Sequence, residues 1–361
     1  MADFYSKLPK YQIVKDYVRH LIRDGLIVFG QQLPSEHDLM TKFGVSRQTV
    51  RQAFAELSAE GLLYKEQGKG TFCGYRNARP RQIVAVITTY ISEFVFPGII
   101  SGIEQVLSDQ GYMMLLCNTG NSKESEAQHL TSMLELGVAG VIIEPTRSAH
   151  PNTNIELLDE LCRRNTRFVY LNACYDDFES AYAVMDDAAG GRVLTDYLLT
   201  LGHRRVAGLF KTDDRQGVLR KAGFLSAIEA YGHINPIAIG EYETQNMYDY
   251  PFTFTQSLLK SASVPTAVVC YNDQCALQVL QAAAERGLKV PQDISVVGYD
   301  DSVTAQSGLK LTTIRHPMKE MGRTAARFMV DMLEGRADNP TRVFAPELVV
   351  RDSCQPLNTG A

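Results

Sequence analysis

The chain contains no Cys-x-x-Cys pair. Its seven cysteines, Cys73, Cys117, Cys162, Cys174, Cys270, Cys275 and Cys354, are scattered, so neither a zinc site nor a disulfide framework is signalled. No apolar stretch approaches the length that spans a bilayer, and Met1-Ala2-Asp3-Phe4-Tyr5-Ser6-Lys7 lacks the apolar core of a secretory leader. A soluble protein of a reducing cytoplasm, with no membrane partner, is the expectation. Catalytic signatures are missing too: there is no nucleophile elbow, no phosphate-binding Gly-x-x-x-x-Gly-Lys-Ser/Thr loop, no GxGxxG after the first strand and no histidine pair at metal spacing. The carboxylate pairs Asp213-Asp214 and Asp300-Asp301 are adjacent in sequence, where side chains point different ways, and His203 reads as part of a turn ending a helix. Enzyme activity, a metal and a cofactor are therefore not expected.

Charge is unevenly spread. The chain carries 36 Lys+Arg against 41 Asp+Glu, a net of −5. Residues 1–81 hold 13 basic and 8 acidic side chains, a net of +5, which leaves −10 for residues 82–361. Attraction for polyanions is thus confined to the N-terminus. With 361 residues the chain exceeds one ordinary core, so an N-terminal module (1–73), a linker (74–81), a larger two-lobed domain (82–354) and a tail (355–361) are expected.

In the N-terminal module, Val14, Val18, Leu21 and Ile22 predict a helix over Lys10 to Asp24 that stops at Gly25. A second helix opens at Pro34-Ser35-Glu36, where Ser35 and Asp38 have capping-box spacing. After Phe43-Gly44-Val45, Ser46 caps a third, whose Val50, Ala53, Phe54 and Leu57 recur at i, i+3, i+4, i+7 and face inward. Arg47, Gln48 and Arg51 share its other face. Two short helices around a glycine turn make a helix-turn-helix, in which the start of the second helix enters the major groove. Arginine suits guanine there because its planar fork reaches O6 and N7 together, and Gln48 suits adenine. Gly61 to Phe72 then reads as a hairpin with a glycine-rich tip, a wing beside the phosphate backbone.

From Gln82 onward, buried strands alternate with helices. Strands are predicted at Ile83–Ile87, Met113–Cys117, Gly140–Ile143, Phe168–Leu171, Ala183–Met185, Arg205–Phe210, Ala267–Cys270 and Ile294–Gly298. Helices are predicted near 98–110, 124–136, 155–164, 188–201, 217–231, 250–260 and 273–286. Such alternation means doubly wound parallel sheets, which bind ligands beyond the carboxyl ends of their strands. Those ends are polar: Thr88 to Tyr90, Glu144, Asn172, Asp186 and Asp187, Lys211 to Asp214, Tyr271 to Asp273, Asp300 and Asp301. Asp187 and Asp301 read as structural. A cleft of Asp, Asn, Arg and aromatic faces suits a sugar, whose hydroxyls both donate and accept while its ring face stacks. Arg220 can supply a bidentate donor.

Two family resemblances sharpen this. Pro34-Ser35-Glu36-x-x-Leu39, Phe43-Gly44-Val45-Ser46-Arg47-x-Thr49-Val50-Arg51 and Gly68-x-Gly70-Thr71-Phe72 resemble the winged helix of GntR-type transcription regulators. The resemblance implies base contacts from Glu36, Arg47, Arg51 and Gln67, with Ser46, Gln48, Thr49, Gly68 and Lys69 near phosphates of double-stranded operator DNA. His37 departs from the longer cationic residue of some members. The remainder is similar to the effector domain of LacI/GalR regulators, itself akin to periplasmic sugar-binding proteins. Phe96-Pro97-Gly98-Ile99-Ile100-x-Gly102, Leu201-Gly202-His203-Arg204-Arg205-Val206, Arg220-x-x-Gly223-Phe224, Asn272-Asp273 and Val290-Pro291-x-Asp293-Ile294-Ser295-Val296-Val297-Gly298-Tyr299-Asp300-Asp301 carry that likeness. By position it implies sugar contacts from Arg220, Asn272 and Asp300, with His316 where the family often has glutamine.

The composite resembles the arabinose-responsive repressors of Gram-positive bacteria. Supporting motifs are Glu144-Pro145-Thr146-x-Ser148-Ala149, Phe210-Lys211-x-Asp213-Asp214-x-Gln216-Gly217-Val218 and Cys270-Tyr271-Asn272-Asp273. With the strand-end residues Tyr90, Glu144, Lys211 and Tyr271 this gives the expected effector site. The resemblance implies a homodimeric repressor released from its operator by L-arabinose. Alternatives are a different sugar or oligosaccharide, or a sugar-dependent activator; the basic winged head argues against a transport-type binding protein.

Overall fold

The computed structural model describes residues 9–23, 26–27, 29–66, 69–74, 82–93, 95–232, 236–303, 305 and 310–357. The chain divides into two units, Met1–Arg81 and Gln82–Ala361. Most of the expected linker, residues 75–81, and the end of the tail, residues 358–361, lie outside the described residues, as do Asp24 and Gly25.

In the first unit α1 (Lys10–Arg23), α2 (Glu36–Phe43) and α3 (Arg47–Ala59) precede a hairpin of β1 (Leu63–Glu66) and β2 (Gly70–Cys73). Both halves of the capping box at Ser35 and Asp38 form, satisfying donors that a helix start leaves unpaired. Gly44 ends α2 at φ +60°, a left-handed conformation that a side chain would strain. Val14, Val18, Ile22, Leu39, Val50, Ala53, Leu57 and Cys73 close the core. Lys15 ties α1 to α3 through Glu56 at 2.6 Å and Glu60 at 2.9 Å.

Among its described residues the second unit holds two parallel sheets. The first is six-stranded, in the order β13-β7-β6-β5-β3-β4, built from β3 (Ile83–Thr88), β4 (Met113–Asn118), β5 (Gly140–Ile143), β6 (Arg167–Asn172), β7 (Ala181–Met185) and β13 (Thr341–Phe344). The second is four-stranded, β11-β10-β8-β9, from β8 (Val206–Lys211), β9 (Ala238–Tyr242), β10 (Ala267–Cys270) and β11 (Ser295–Val297). Every neighbouring pair in both sheets is parallel, as unbroken apolar strands between helices require. The helices are α4 (Phe96–Asp109), α5 (Lys123–Leu136), α6 (Ile155–Arg163), α7 (Asp187–Thr200), α8 (Arg215–Tyr231), α9 (Tyr250–Leu258), α10 (Asp273–Glu285) and α11 (Met318–Leu333). A short antiparallel pair, β12 (Thr313–Arg315) with β14 (Glu347–Val349), lies between the sheets in the chain's path.

α4 packs against α11 and α7 against α8. Helices and sheets therefore sort into two lobes, and the chain passes between them near Asp186, His316 and Ala345. The strands and helices expected up to Gly298 form within a few residues of their predicted bounds. β9, β12, β13, β14 and α11 were not among them. Three of the four residues of β13 are exposed, so that edge strand lacks the apolar run that marks the others. Gln355 and Leu357, counted as tail, are tied to the second lobe: Gln355 O accepts from His203 Nε2 at 3.1 Å, and Leu357 N–H donates to Leu201 O at 2.8 Å.

Candidate functional site

The first unit presents a polar face along α3. Ser46 caps the helix, accepting from the Thr49 N–H at 3.2 Å and lying 2.9 Å from Thr49 Oγ1. Arg47 and Arg51 follow, with side chains 65% and 57% exposed. Each donates through Nε to Glu36, at 2.8 and 3.2 Å, and these bonds, Arg47's foremost, hold the Glu36 carboxyl below the usual carboxylate range. One carboxylate at the start of α2 thus aims both guanidiniums while leaving most of each fork free. Gln48 is exposed. Lys69, at the wing, sits 3.0 Å from Glu66; Gln67 and Gly68 lie outside the described residues. A groove lined by Arg51, Ser58, Lys65 and Thr71 runs between α3 and the wing.

In the second unit the carboxyl ends of both sheets converge on one cavity. Tyr90, Glu144, Lys211, Arg220, Tyr271, Asn272, Asp300 and His316 all line it. Its non-atom space, mouth included, is about 840 Å³. Arg220 is its electrostatic centre. Nε donates to Asp187 at 2.8 Å, Nη1 donates to the Tyr271 carbonyl at 2.8 Å, and Asp300 lies 3.9 Å away. The guanidinium sits 3.5 Å from the ring centroid of Tyr299. This closeness depends on two glycines: a Cβ on Gly191 would meet the Arg220 carbonyl at 2.1 Å, and one on Gly223 the Ala188 carbonyl at 2.0 Å. Without side chains there, α7 and α8 approach until Arg220 reaches Asp187.

Burial shapes the titration of these groups. Asp187 is pushed up to about 6 by desolvation, with Arg220 pulling it back. Asp300 is raised by burial against the same arginine, and Glu144 by burial against the hydrogen bonds of Thr89 and Asn172. Lys211 resists: desolvation favours its neutral form, but Asp214 and Asp213, at 2.9 and 2.7 Å, carry it above its ordinary value. His316 falls to about 3 through burial and the nearby Arg220, so it is neutral at physiological pH. Tyr271 Oη donates to Asp214 Oδ2 at 2.7 Å. Asn272 caps α10, accepting the Cys275 N–H on Oδ1 at 2.9 Å, which leaves Nδ2 as its donor.

Asp187, read from the sequence as structural, also lines the cavity. Asp301 is structural, paired with Arg351 and, at 3.2 Å, with Arg315. Asn121, Met247 and Tyr248 line the cavity and escaped the sequence reading. Asn121 follows a strand assigned to end at Cys117 rather than Asn118. Met247 and Tyr248 follow a short 3-10 turn and carry no signal that separates them from any loop.

Comparison with known proteins agrees with this anatomy. Residues 10–73 match the model of bacterial regulatory proteins of the gntR family, and residues 195–354 that of a periplasmic binding protein-like domain. The arabinose metabolism transcriptional repressor of Geobacillus stearothermophilus is 40% identical over 361 residues, covering 97% of this chain and 99% of that protein. The chain belongs to this family of repressors. A second member, the arabinose metabolism transcriptional repressor of Halalkalibacterium halodurans, is also 40% identical, over 95% of this chain and 96% of that one.

Among solved structures, the lac repressor dimer bound to operator and an anti-inducer is similar to this repressor over 78% of its chain and 99% of the other. The TM-score is 0.68 at 25% identity. A complex of the transcriptional regulator CelR with cellobiose is similar over 86% and 91% of the two chains, at TM-score 0.67 and 27% identity. The repressor is thus a sugar-responsive DNA-binding regulator rather than an enzyme. Among its described residues no helix is long and apolar enough to cross a membrane.

Proposed function

We propose that this repressor binds operator DNA as a homodimer through its winged helices, and that L-arabinose, bound between the lobes, releases it. The observation that carries the effector reading is the cavity's mixture of fixed donors and acceptors around Arg220, with Tyr90 and Tyr271 beside them. Each sugar hydroxyl needs both a donor and an acceptor, and aromatic faces take the C–H side of the ring. The sugar itself follows the relatives' names.

Several contacts cross from one lobe to the other beside the cavity. Asn121 Nδ2 donates to Thr244 Oγ1 at 2.6 Å, Arg215 Nη1 to Asp176 at 2.6 Å, and Tyr248 Oη to Glu93 at 2.7 Å. An effector that touches both lobes favours the arrangement in which such contacts form. Release then follows from differential affinity: coupling of about 1–3 kcal/mol changes operator affinity roughly 5- to 150-fold. The dimer reading rests on the lac repressor likeness and on the need of one small head for a second half-site.

The test is calorimetric titration of the full chain with L-arabinose, D-galactose, D-xylose, D-ribose and cellobiose. Saturable heat with L-arabinose alone supports the assignment. Saturable heat with another member of the panel, and none with L-arabinose, transfers the effector role to that sugar.

A further inference from the structure

Around the cavity runs a set of hydrogen bonds whose direction is fixed at one end. The backbone N–H of Thr89, which can only donate, meets Glu144 Oε2 at 3.3 Å. The other oxygen, Oε1, receives Nδ2 of Asn172 at 3.0 Å and Nε2 of Gln216 at 3.3 Å. A carboxylate accepts only, so both amides present their NH₂ to it and turn their oxygens elsewhere. Asn172 Oδ1 then lies 3.2 Å from His316 Nε2, and that nitrogen must carry the imidazole proton. His316 is neutral, so its Nδ1 is a bare lone pair. Both ends of the network are left over: His316 Nδ1 and Gln216 Oε1 are buried and have no partner. His316 is 6% exposed, and both side chains line the cavity.

We infer that Glu144 is a positioning residue that fixes the hydrogen-bond polarity of this wall, making Gln216 Oε1 and His316 Nδ1 two acceptors for hydroxyl donors of the effector. The network joins Glu144 and Asn172 in the first lobe, Gln216 in the second and His316 at a crossing between them, so its polarity is set where the lobes meet. Asn272 is fixed in the opposite sense, its Oδ1 held by the Cys275 N–H at 2.9 Å, and offers a donor. The cavity thereby reads the direction of hydrogen bonds as well as their positions. It selects a polyol with free hydroxyls at two places and rejects analogues deoxygenated there, because a buried acceptor is then left unpaired.

The inference rests on L-arabinose as effector, and the experiment separates the two. Calorimetry of the full chain is run with L-arabinose and its series of single-deoxy derivatives, for the wild type, Glu144→Gln, His316→Phe and Gln216→Leu. In the wild type, two deoxy derivatives bind roughly ten- to a hundred-fold more weakly than the parent. In Glu144→Gln the Thr89 N–H keeps the carboxamide oxygen and turns its NH₂ toward Asn172 and Gln216, so the two amides invert to present their oxygens, and those penalties shrink. His316→Phe erases one penalty and Gln216→Leu the other, which carries the test should Glu144→Gln fail to fold. Equal weakening of every sugar by all three variants, with the wild-type penalties intact, overturns the inference alone. Failure of the wild type to bind L-arabinose overturns the effector assignment and the inference with it.

Discussion

Arg147 Nη2 donates to Glu243 Oε2 across 2.6 Å, joining the first lobe of the effector unit to the second. The Arg147 N–H is itself held by Asn121 Oδ1 at 2.7 Å, and Arg147 stands at φ +45°, a conformation non-glycine residues rarely adopt. A half-exposed ion pair contributes little to folding, on the order of 0–1 kcal/mol, but this one exists only while the lobes are together. Arg147→Ala is therefore expected to lower L-arabinose affinity several-fold with little change in thermal stability. Calorimetry beside a melting curve checks this, and unchanged affinity refutes it.

Arg220 carries a larger share of stability. Its side chain is 7% exposed and compensates Asp187 directly and Asp300 at 3.9 Å. Removing one partner of a buried pair costs about 3–5 kcal/mol. Arg220→Ala should unfold at markedly lower urea concentration and give no heat with L-arabinose. Adding Asp187→Asn should restore part of the stability, since one orphaned charge is gone, while leaving binding absent. A double variant no more stable than the single one contradicts this reading.

Acid should weaken the effector unit through His316. Its folded-state value of about 3 lies below the ordinary 6.5, so its contribution is complete above pH 6.5 and is lost as pH falls toward 3. Asp187, raised to about 6 from 3.8, acts in the opposite sense, its contribution being present below 3.8 and lost as pH rises through 6. Comparing wild type with His316→Gln isolates the histidine. Between pH 7 and pH 5 the wild type should lose about 2 kcal/mol more than the variant in urea unfolding. A gap that does not change with pH is the contrary result.

On the DNA side, Arg47→Ala or Arg51→Ala is expected to cost about 1–3 kcal/mol of operator binding and to relax base discrimination. Lys69→Ala, remote from the helix start, should weaken operator and random DNA alike and reduce the salt slope by about one. Fluorescence anisotropy on both DNAs at several salt concentrations measures this. An unchanged operator-to-random ratio in the arginine variants removes them from base readout.

Much of this was legible in the sequence. Val50, Ala53, Phe54 and Leu57 are buried on α3 as their spacing demands, and Ser46 and Ser35 cap where short hydroxyl residues precede apolar periodicity. Tyr90, Glu144, Lys211, Tyr271, Asn272 and Asp300 could be found because parallel strands all deliver their carboxyl ends to one edge. His316 follows β12, a strand that carries no apolar run in the sequence, and rested on family resemblance, whereas Arg220 stood out at the start of a helix pattern as well as by that resemblance. Met247 and Tyr248 reach the cavity from a loop whose path depends on tertiary packing. The direction of the Glu144 hydrogen bonds was beyond sequence altogether, because Thr89, Glu144, Asn172, Gln216 and His316 meet only in the folded chain.

In the proposed mechanism one sugar in the cavity controls the winged heads. The most direct measurement follows full-length protein leaving labelled operator DNA as L-arabinose is added, at fixed salt, beside D-galactose as control. The expected result is saturable release by L-arabinose, with operator affinity falling roughly 5- to 150-fold, and no release by D-galactose. Operator affinity unchanged at L-arabinose concentrations that saturate the calorimetric signal would contradict it.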